Sequence, residues 1–282
     1  MNRLSVNQQT IRQWSLAELV AGCSDAGVAN VGLWREPVTE HGLARTARLV
    51  RSAGLSVTSL CRGGFFTAAE PAARTAALAD NRAAIEQAAE LGAPVLVLVS
   101  GGLADRPHDL AGARLRVAEA LAELGPYAGE RGVRLAVEPL HPMFCSDRCV
   151  VNTLRQAREL VAPLPAEQVG VVVDTYHCWW DPQVYEEIAL LGAAGRIALF
   201  QAADWVTPLP EGVLVGRGQL GDGHVPLREL LAATDAAGYR GPVEVEIFSE
   251  DLWRRPGGEV LRELLGRYRD HLLERPERDG TG

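Results

Sequence analysis

Lysine is absent from this 282-residue chain, and all 28 basic side chains are arginine. That absence rules out Schiff-base chemistry through a lysine, lysine-anchored pyridoxal phosphate and the lysine of a phosphate-binding P-loop. No apolar run approaches the ~20 residues needed to cross a bilayer, and Met1–Val20 carries polar residues throughout. A cytoplasmic protein with no membrane partner is therefore expected. Excess positive charge is missing as well. A net charge of −8 opposes a surface built to neutralise phosphates, so no nucleic-acid partner is expected. The cysteines, Cys23, Cys61, Cys145, Cys149 and Cys178, are odd in number and scattered, which suits a reducing compartment better than a disulfide framework. Cys145 and Cys149 have no second pair to complete a zinc site, and reduced thiols are expected there. No G-x-G-x-x-G follows the first strand-like run, which removes the support for a dinucleotide site.

What is present is an alternation. Eight short β-branched or leucine-rich runs, Leu4–Asn7, Asn30–Leu33, Leu55–Leu60, Val95–Val99, Leu135–Glu138, Val169–Asp174, Ile197–Gln201 and Val243–Ile247, are separated by longer segments of helical period. The helical segments include Thr39–Ala53, Ala72–Leu91 and Asp109–Arg131. In the last of these Leu110, Ala113, Val117, Leu121 and Leu124 form one apolar stripe. Gly27, Gly54, Gly92, Gly132 and Gly238 stand where helices would end ahead of the next strand. These helix-to-strand turns are short, whereas the stretches after Glu138, Asp174 and Gln201 are long, polar and aromatic. Eight alternations without a break in composition predict an α/β fold, a single (β/α)8 barrel over residues 1–273, with its chemistry in the strand-to-helix loops. An open doubly wound sheet is the competing arrangement. Residues 274–282, rich in charge, Pro and Gly, are expected to form a mobile tail.

Four successive strands finish on a side chain that offers oxygen: Glu138 in LAVEPLHP, Asp174 in VVVDTYH, Gln201 in ALFQAAD and Glu246 in VEVEIF. Buried carboxylates at strand ends need partners, and a divalent cation satisfies three at once; pairing with arginines is the alternative. An all-oxygen donor set suits a hard cation, Mn2+ first and Mg2+ second. His177, three residues after Asp174, is placed to act as a ligand, as a donor to substrate or as a structural histidine. His141 is expected to shape its own loop.

The ordered set Glu, Asp-x-x-His, Gln and Glu resembles the sugar phosphate isomerase/epimerase family, the xylose isomerase-like TIM barrels, over nearly the whole chain. The resemblance implies that Glu138, Asp174, Gln201 and Glu246 hold the metal and that Glu138 and Glu246 also serve as catalytic acid and base. It further implies an isomerase or epimerase acting on a small sugar, keto-sugar or polyol derivative through a metal-stabilised enediolate. Gln201 departs from the histidine of many epimerases and matches the dehydroshikimate dehydratases, so a lyase of the inosose or 3-dehydroshikimate dehydratase type is the alternative. A sugar-binding barrel without turnover fits less well, because binding alone does not need two poised glutamates. DNA-repair endonucleases of similar fold would need more histidine ligands and a cationic surface than this chain offers.

Arg217, in the Gly-rich segment VGRGQLGDGHVPL, resembles the family's substrate-loop arginine and is a candidate clamp for a substrate hydroxyl, carboxylate or phosphate. Pairing with Asp204 or Asp222 is the alternative. Trp34, Arg62, Phe66 and Trp179 follow strands and are candidates for a substrate wall at the barrel mouth, with packing or subunit contact as the competing use. The small-molecule partner is then a carbohydrate or polyol, and a homo-oligomer is compatible with the sequence.

Overall fold

A computed structural model describes residues 2–103, 108–210 and 213–273. The tail expected at 274–282 lies outside the described residues. Eight parallel strands close into a barrel. In chain order they are Leu4–Asn7, Asn30–Trp34, Ser56–Gly64, Val95–Val99, Arg134–Val137, Val169–Asp174, Ile197–Ala202 and Val243–Val245. Closure pairs Leu4 with Val243 and Val6 with Val245. No sheet edge is left open among these strands, and the doubly wound alternative is thereby removed.

The fourth strand shows how the sequence sorts its side chains. Val95–Val99 is buried throughout. Val95 and Val97 pack inside the barrel with Cys61, Ala136, Val172 and Leu199, while Leu96 and Leu98 join the larger core beneath the helices. Alternation over a strand buried on both faces therefore supplies two cores.

The helix Pro71–Leu91 starts with proline in its first turn, is capped by the Glu70 carboxylate on Ala73 N–H, and stops at Gly92, whose φ is 72°. The helix expected over Thr39–Ala53 is instead two helices, Arg35–His41 and Leu43–Ser52. Gly42, at φ 94°, breaks the α ladder between them, a conformation that costs glycine little. After the seventh strand, Asp204–Trp205 pairs antiparallel with Arg217–Gly218, which returns Arg217 to the strand ends. Among the described residues no helix is long and apolar enough to cross a membrane.

Candidate active site

The eighth strand carries Glu244 and Glu246 on the same face, two residues apart, and both point inward. Glu138 leaves the end of the fifth strand, its N–H donating to the Leu98 carbonyl. Asp174 ends the sixth strand and its Oδ1 caps the short helix that follows, accepting from Tyr176 N–H at 2.8 Å. Glu138, Asp174 and Glu246 are 6%, 1% and 3% exposed. Asp174 and Glu246 meet one cation, Arg217, whose charge also acts on Glu138 without contact.

Arg217 Nη1 donates to Asp174 Oδ2 at 3.0 Å and to Glu246 Oε2 at 3.3 Å, and Nη2 lies 3.0 Å from His177 Nε2. The pairings with Asp204 or Asp222 do not form, because those carboxylates are occupied. Asp204 accepts from the N–H groups of Gly221, Gly223 and Val225, pinning the loop, and Asp222 takes Arg267. With its guanidinium on the carboxylates, Arg217 is part of the strand-end cluster.

One guanidinium does not balance three buried carboxylates. Burial pushes the Glu138 carboxyl well above its ordinary range, and the charges of Glu246 and Asp174 push it further. Burial raises Asp174, with Arg217 opposing the shift. Burial likewise raises Glu246, to about 8, against the pull of Arg217. For Arg217 burial disfavours the charged form, but Asp174, Glu246 and Glu138 outweigh it and its pKa rises. His177 is held neutral by burial and by the Arg217 charge. His141 N–H donates to His177 Nδ1 at 3.2 Å, so the neutral ring carries its proton on Nε2. That edge stands 3.9 Å from both Glu138 Oε1 and Asp174 Oδ2. It leaves Arg217 Nη2, also a donor, without an acceptor there. His141 Nδ1 accepts from Met143 N–H within its own loop, the shaping role expected of it.

Gln201 stands between Asp174 and Glu244 in strand register. Its Nε2 donates to Glu244 Oε1 at 3.0 Å. Glu244 also accepts from Asn7 Nδ2, Thr58 Oγ1 and Ser59 Oγ at 2.7–2.8 Å, so its acceptor capacity is used. The amide is thereby oriented, and Gln201 Oε1 remains buried with no partner among the described residues, as does Glu138 Oε1. Two orphaned acceptors beside an excess of negative charge fit a divalent cation, and the all-oxygen donors fit a hard one. Glu138 and Asp174 bring carboxylate oxygens to within 4.8 Å of one another beside the His177 Nε2 edge, and Arg217 links Asp174 to Glu246.

The cluster opens on a cavity of about 200 Å3. Trp34 and Arg62 line it, as expected of them, and Trp34 packs edge-on to Phe248 at 5.4 Å. Phe66 does not. It is 3% exposed and packs beside Leu78 and Ala120 between the helices Pro71–Leu91 and Leu110–Gly129, because its N–H is tied to the Ser100 carbonyl where the chain turns outward. Trp179 is also displaced from the wall. Its ring meets Trp205 at 5.8 Å, and Trp205 in turn packs on Tyr176 and His141, forming a second row outside the cavity.

Three contributors escaped the sequence reading. Glu244 shares the period-two face of Glu246, a signal that was present. Arg148 and Phe248 line the cavity from loops, where no periodicity marks a residue.

Residues 20–271 match the model of a family described as xylose isomerase-like TIM barrel. The inosose isomerase of Bacillus velezensis is 25% identical over 230 residues, 80% of this chain and 79% of that one. The 3-dehydroshikimate dehydratase of Pseudomonas putida is 29% identical over 191 residues, 62% of this chain and 27% of that protein. Among solved structures, a protein from Sinorhizobium meliloti 1021 is 43% identical with a TM-score of 0.93, the match covering 96% of this chain and 98% of that one. The IolI protein, described with a bound zinc atom, is 22% identical with a TM-score of 0.82 over 96% of this chain and 98% of that one, a likeness of fold.

Proposed function

The chain is an enzyme of the xylose isomerase-like TIM barrel family, and from that premise we propose that it is a divalent-metal-dependent isomerase or epimerase acting on a small sugar, keto-sugar or polyol derivative. One observation carries the reading. Glu138 and Glu246, at the ends of different strands, are both buried, and burial raises the pKa of each, that of Glu246 to about 8, with Asp174 and Arg217 beside them. Carboxyls tuned in this way exchange protons with carbon acids at neutral pH.

Glu138, Asp174, Gln201 and Glu246 would hold the cation, Mn2+ or Mg2+ by the hardness of their oxygens. When bound, such an ion polarises a substrate carbonyl and stabilises the negative charge that develops on its oxygen. The protein supplies the rest. One glutamate takes the proton from the carbon beside the carbonyl, and the other returns a proton. Return to the opposite face of that carbon gives epimerisation; return to the neighbouring carbon gives aldose–ketose isomerisation. His177 Nε2–H is placed to donate to a substrate hydroxyl. Trp34 and Phe248 give the apolar wall on which a sugar face packs.

A lyase is the second reading, favoured by glutamine at Gln201 and by the dehydratase relative. It shares proton removal but expels a β-hydroxyl in place of reprotonation. Incubating a panel of ketoses and keto-polyols with enzyme and Mn2+ or Mg2+ in D2O, followed by mass spectrometry, separates the outcomes. Deuterium gained without loss of water supports the isomerase or epimerase; a product lighter by one water supports the lyase. Full turnover in a chelator-treated, metal-free preparation overturns both.

A further inference from the structure

The cavity has a second charged end. Arg62, in the third strand, and Arg148, in the loop after the fifth, line it together with Val97 and Val99. Most partly buried arginines of this chain are matched to acids: Arg35 to Asp80, Arg116 to Asp109, Arg158 to Glu187 and Arg267 to Glu263 and Asp222. Arg62 has no carboxylate within ion-pair distance among the described residues, and its guanidinium rests 4.4 Å over the Phe65 ring. Arg148 reaches only its exposed neighbour Asp147, at 3.5 Å. Burial lowers the Arg62 pKa, Glu36 partly offsets that, and the Arg148 cation lowers it again, so the two like charges act on each other. Two guanidinium groups lining one cavity, one without an ion-pair partner among the described residues and the other held only to an exposed acid, form a poor arrangement for stability and a good one for an anion.

Arg217 cannot serve that purpose, since Asp174 and Glu246 already hold it. The cavity is therefore lined both by carboxylates and by two guanidinium groups, Arg62 without an acid partner among the described residues and Arg148 held only to the exposed Asp147. Building on the reading of the carboxylate end as the reaction centre, we infer that Arg62 and Arg148 form a subsite for an anionic oxygen group, a carboxylate or a phosphate, on the substrate. The substrate class narrows to small acidic sugars, sugar phosphates or hydroxylated ring acids. A neutral sugar would leave Arg62 unmatched and Arg148 with only its exposed neighbour Asp147.

The test uses the Mn2+-loaded protein and three probes that differ in one group: D-glucose, D-glucuronate and D-glucose 6-phosphate. Affinities are measured by calorimetry or ligand-observed NMR at low and high salt. At least one anionic probe is expected to bind tenfold or more tightly than glucose, with an advantage that shrinks in salt; which one it is distinguishes carboxylate from phosphate. Arg62→Gln and Arg148→Gln should each weaken that probe by roughly ten- to hundredfold. Mn2+ affinity should stay unchanged, and glucose binding should change far less than binding of the anionic probe. Arg148→Lys should recover part of the loss and, with thermal melts, controls for folding. Equal affinity for all three probes, or anion binding untouched in both Gln variants, overturns the subsite. The two readings fail separately. If anion preference is present and lost in the variants while no substrate exchanges deuterium, the subsite stands and the proposed chemistry falls. If neutral ketoses turn over with kinetics indifferent to Arg62 and Arg148, the chemistry stands and the subsite falls.

Discussion

The proposed function asks Glu246 to act both as a ligand and as a proton carrier, and these uses can be separated by one atom. Glu246→Gln keeps the shape and a carbonyl oxygen but accepts no proton, so Mn2+ should still bind while deuterium exchange at the substrate carbon falls by about 10²–10⁴-fold. Near-normal exchange with metal bound would reduce Glu246 to a ligand. Asp174→Asn should show the opposite pattern, losing metal affinity first. Arg217 behaves differently from what its loop position suggests. A loop arginine that touched only substrate would change KM and leave the cation alone, but Nη1 shares Asp174 Oδ2 and Glu246 Oε2 with whatever else binds there. Arg217→Ala should therefore tighten Mn2+ binding. It should also destabilise the metal-free protein by about 3–5 kcal/mol, because buried carboxylates lose their partner. Calorimetric titration and melts check both signs; unchanged Mn2+ affinity would mean the guanidinium does not compete.

Four strands are tied together by Glu244. Its carboxylate accepts from Asn7 on the first strand, Thr58 and Ser59 on the third, and Gln201 on the seventh. The second strand passes beside it only because position 32 is glycine: a Cβ on Gly32 would lie 2.6 Å from the Glu244 carboxyl carbon. Gly32→Ala should therefore displace Glu244, lower the melting temperature and weaken Mn2+ binding together, since the Gln201 amide loses the contact that orients it. A variant that melts like the parent and binds Mn2+ equally well would remove Glu244 from any role in placing Gln201. This layer was half-legible. The alternation Val243, Glu244, Val245, Glu246 puts both acids on one face. Strand pairing alone decides that Glu246 meets Arg217 while Glu244 meets hydroxyls and amides.

For the molecule as a whole, the charge excess in the barrel mouth sets a pH dependence. Burial raises the folded-state pKa of Glu138, Asp174 and Glu246, the last to about 8. The folded protein thus holds protons that the unfolded chain releases from about pH 4 upward. Stability from these groups is present at low pH and lost as pH rises toward 8. A chelator-treated sample should melt lower at pH 8 than at pH 6, and Mn2+ should raise the pH 8 melt by binding the native state. Equal melts at both pH values and no response to Mn2+ would contradict a cation site. The fold itself was written in local terms: period-two apolar runs, helical stripes and the glycines between them specify eight βα units. Those signals are local because backbone geometry repeats every two or 3.6 residues. The strand-end acids were legible for the same reason, since strands of known direction must deliver their last residues to one mouth. Side-chain neighbours across the barrel obey no period. That Arg217 seats on Asp174 and Glu246 and not on Asp204, that Phe66 turns away from the cavity, and that Arg62 and Arg148 line the same cavity were decided by closure of the barrel and by the return path of its loops, which bring together residues that share no pattern in the chain.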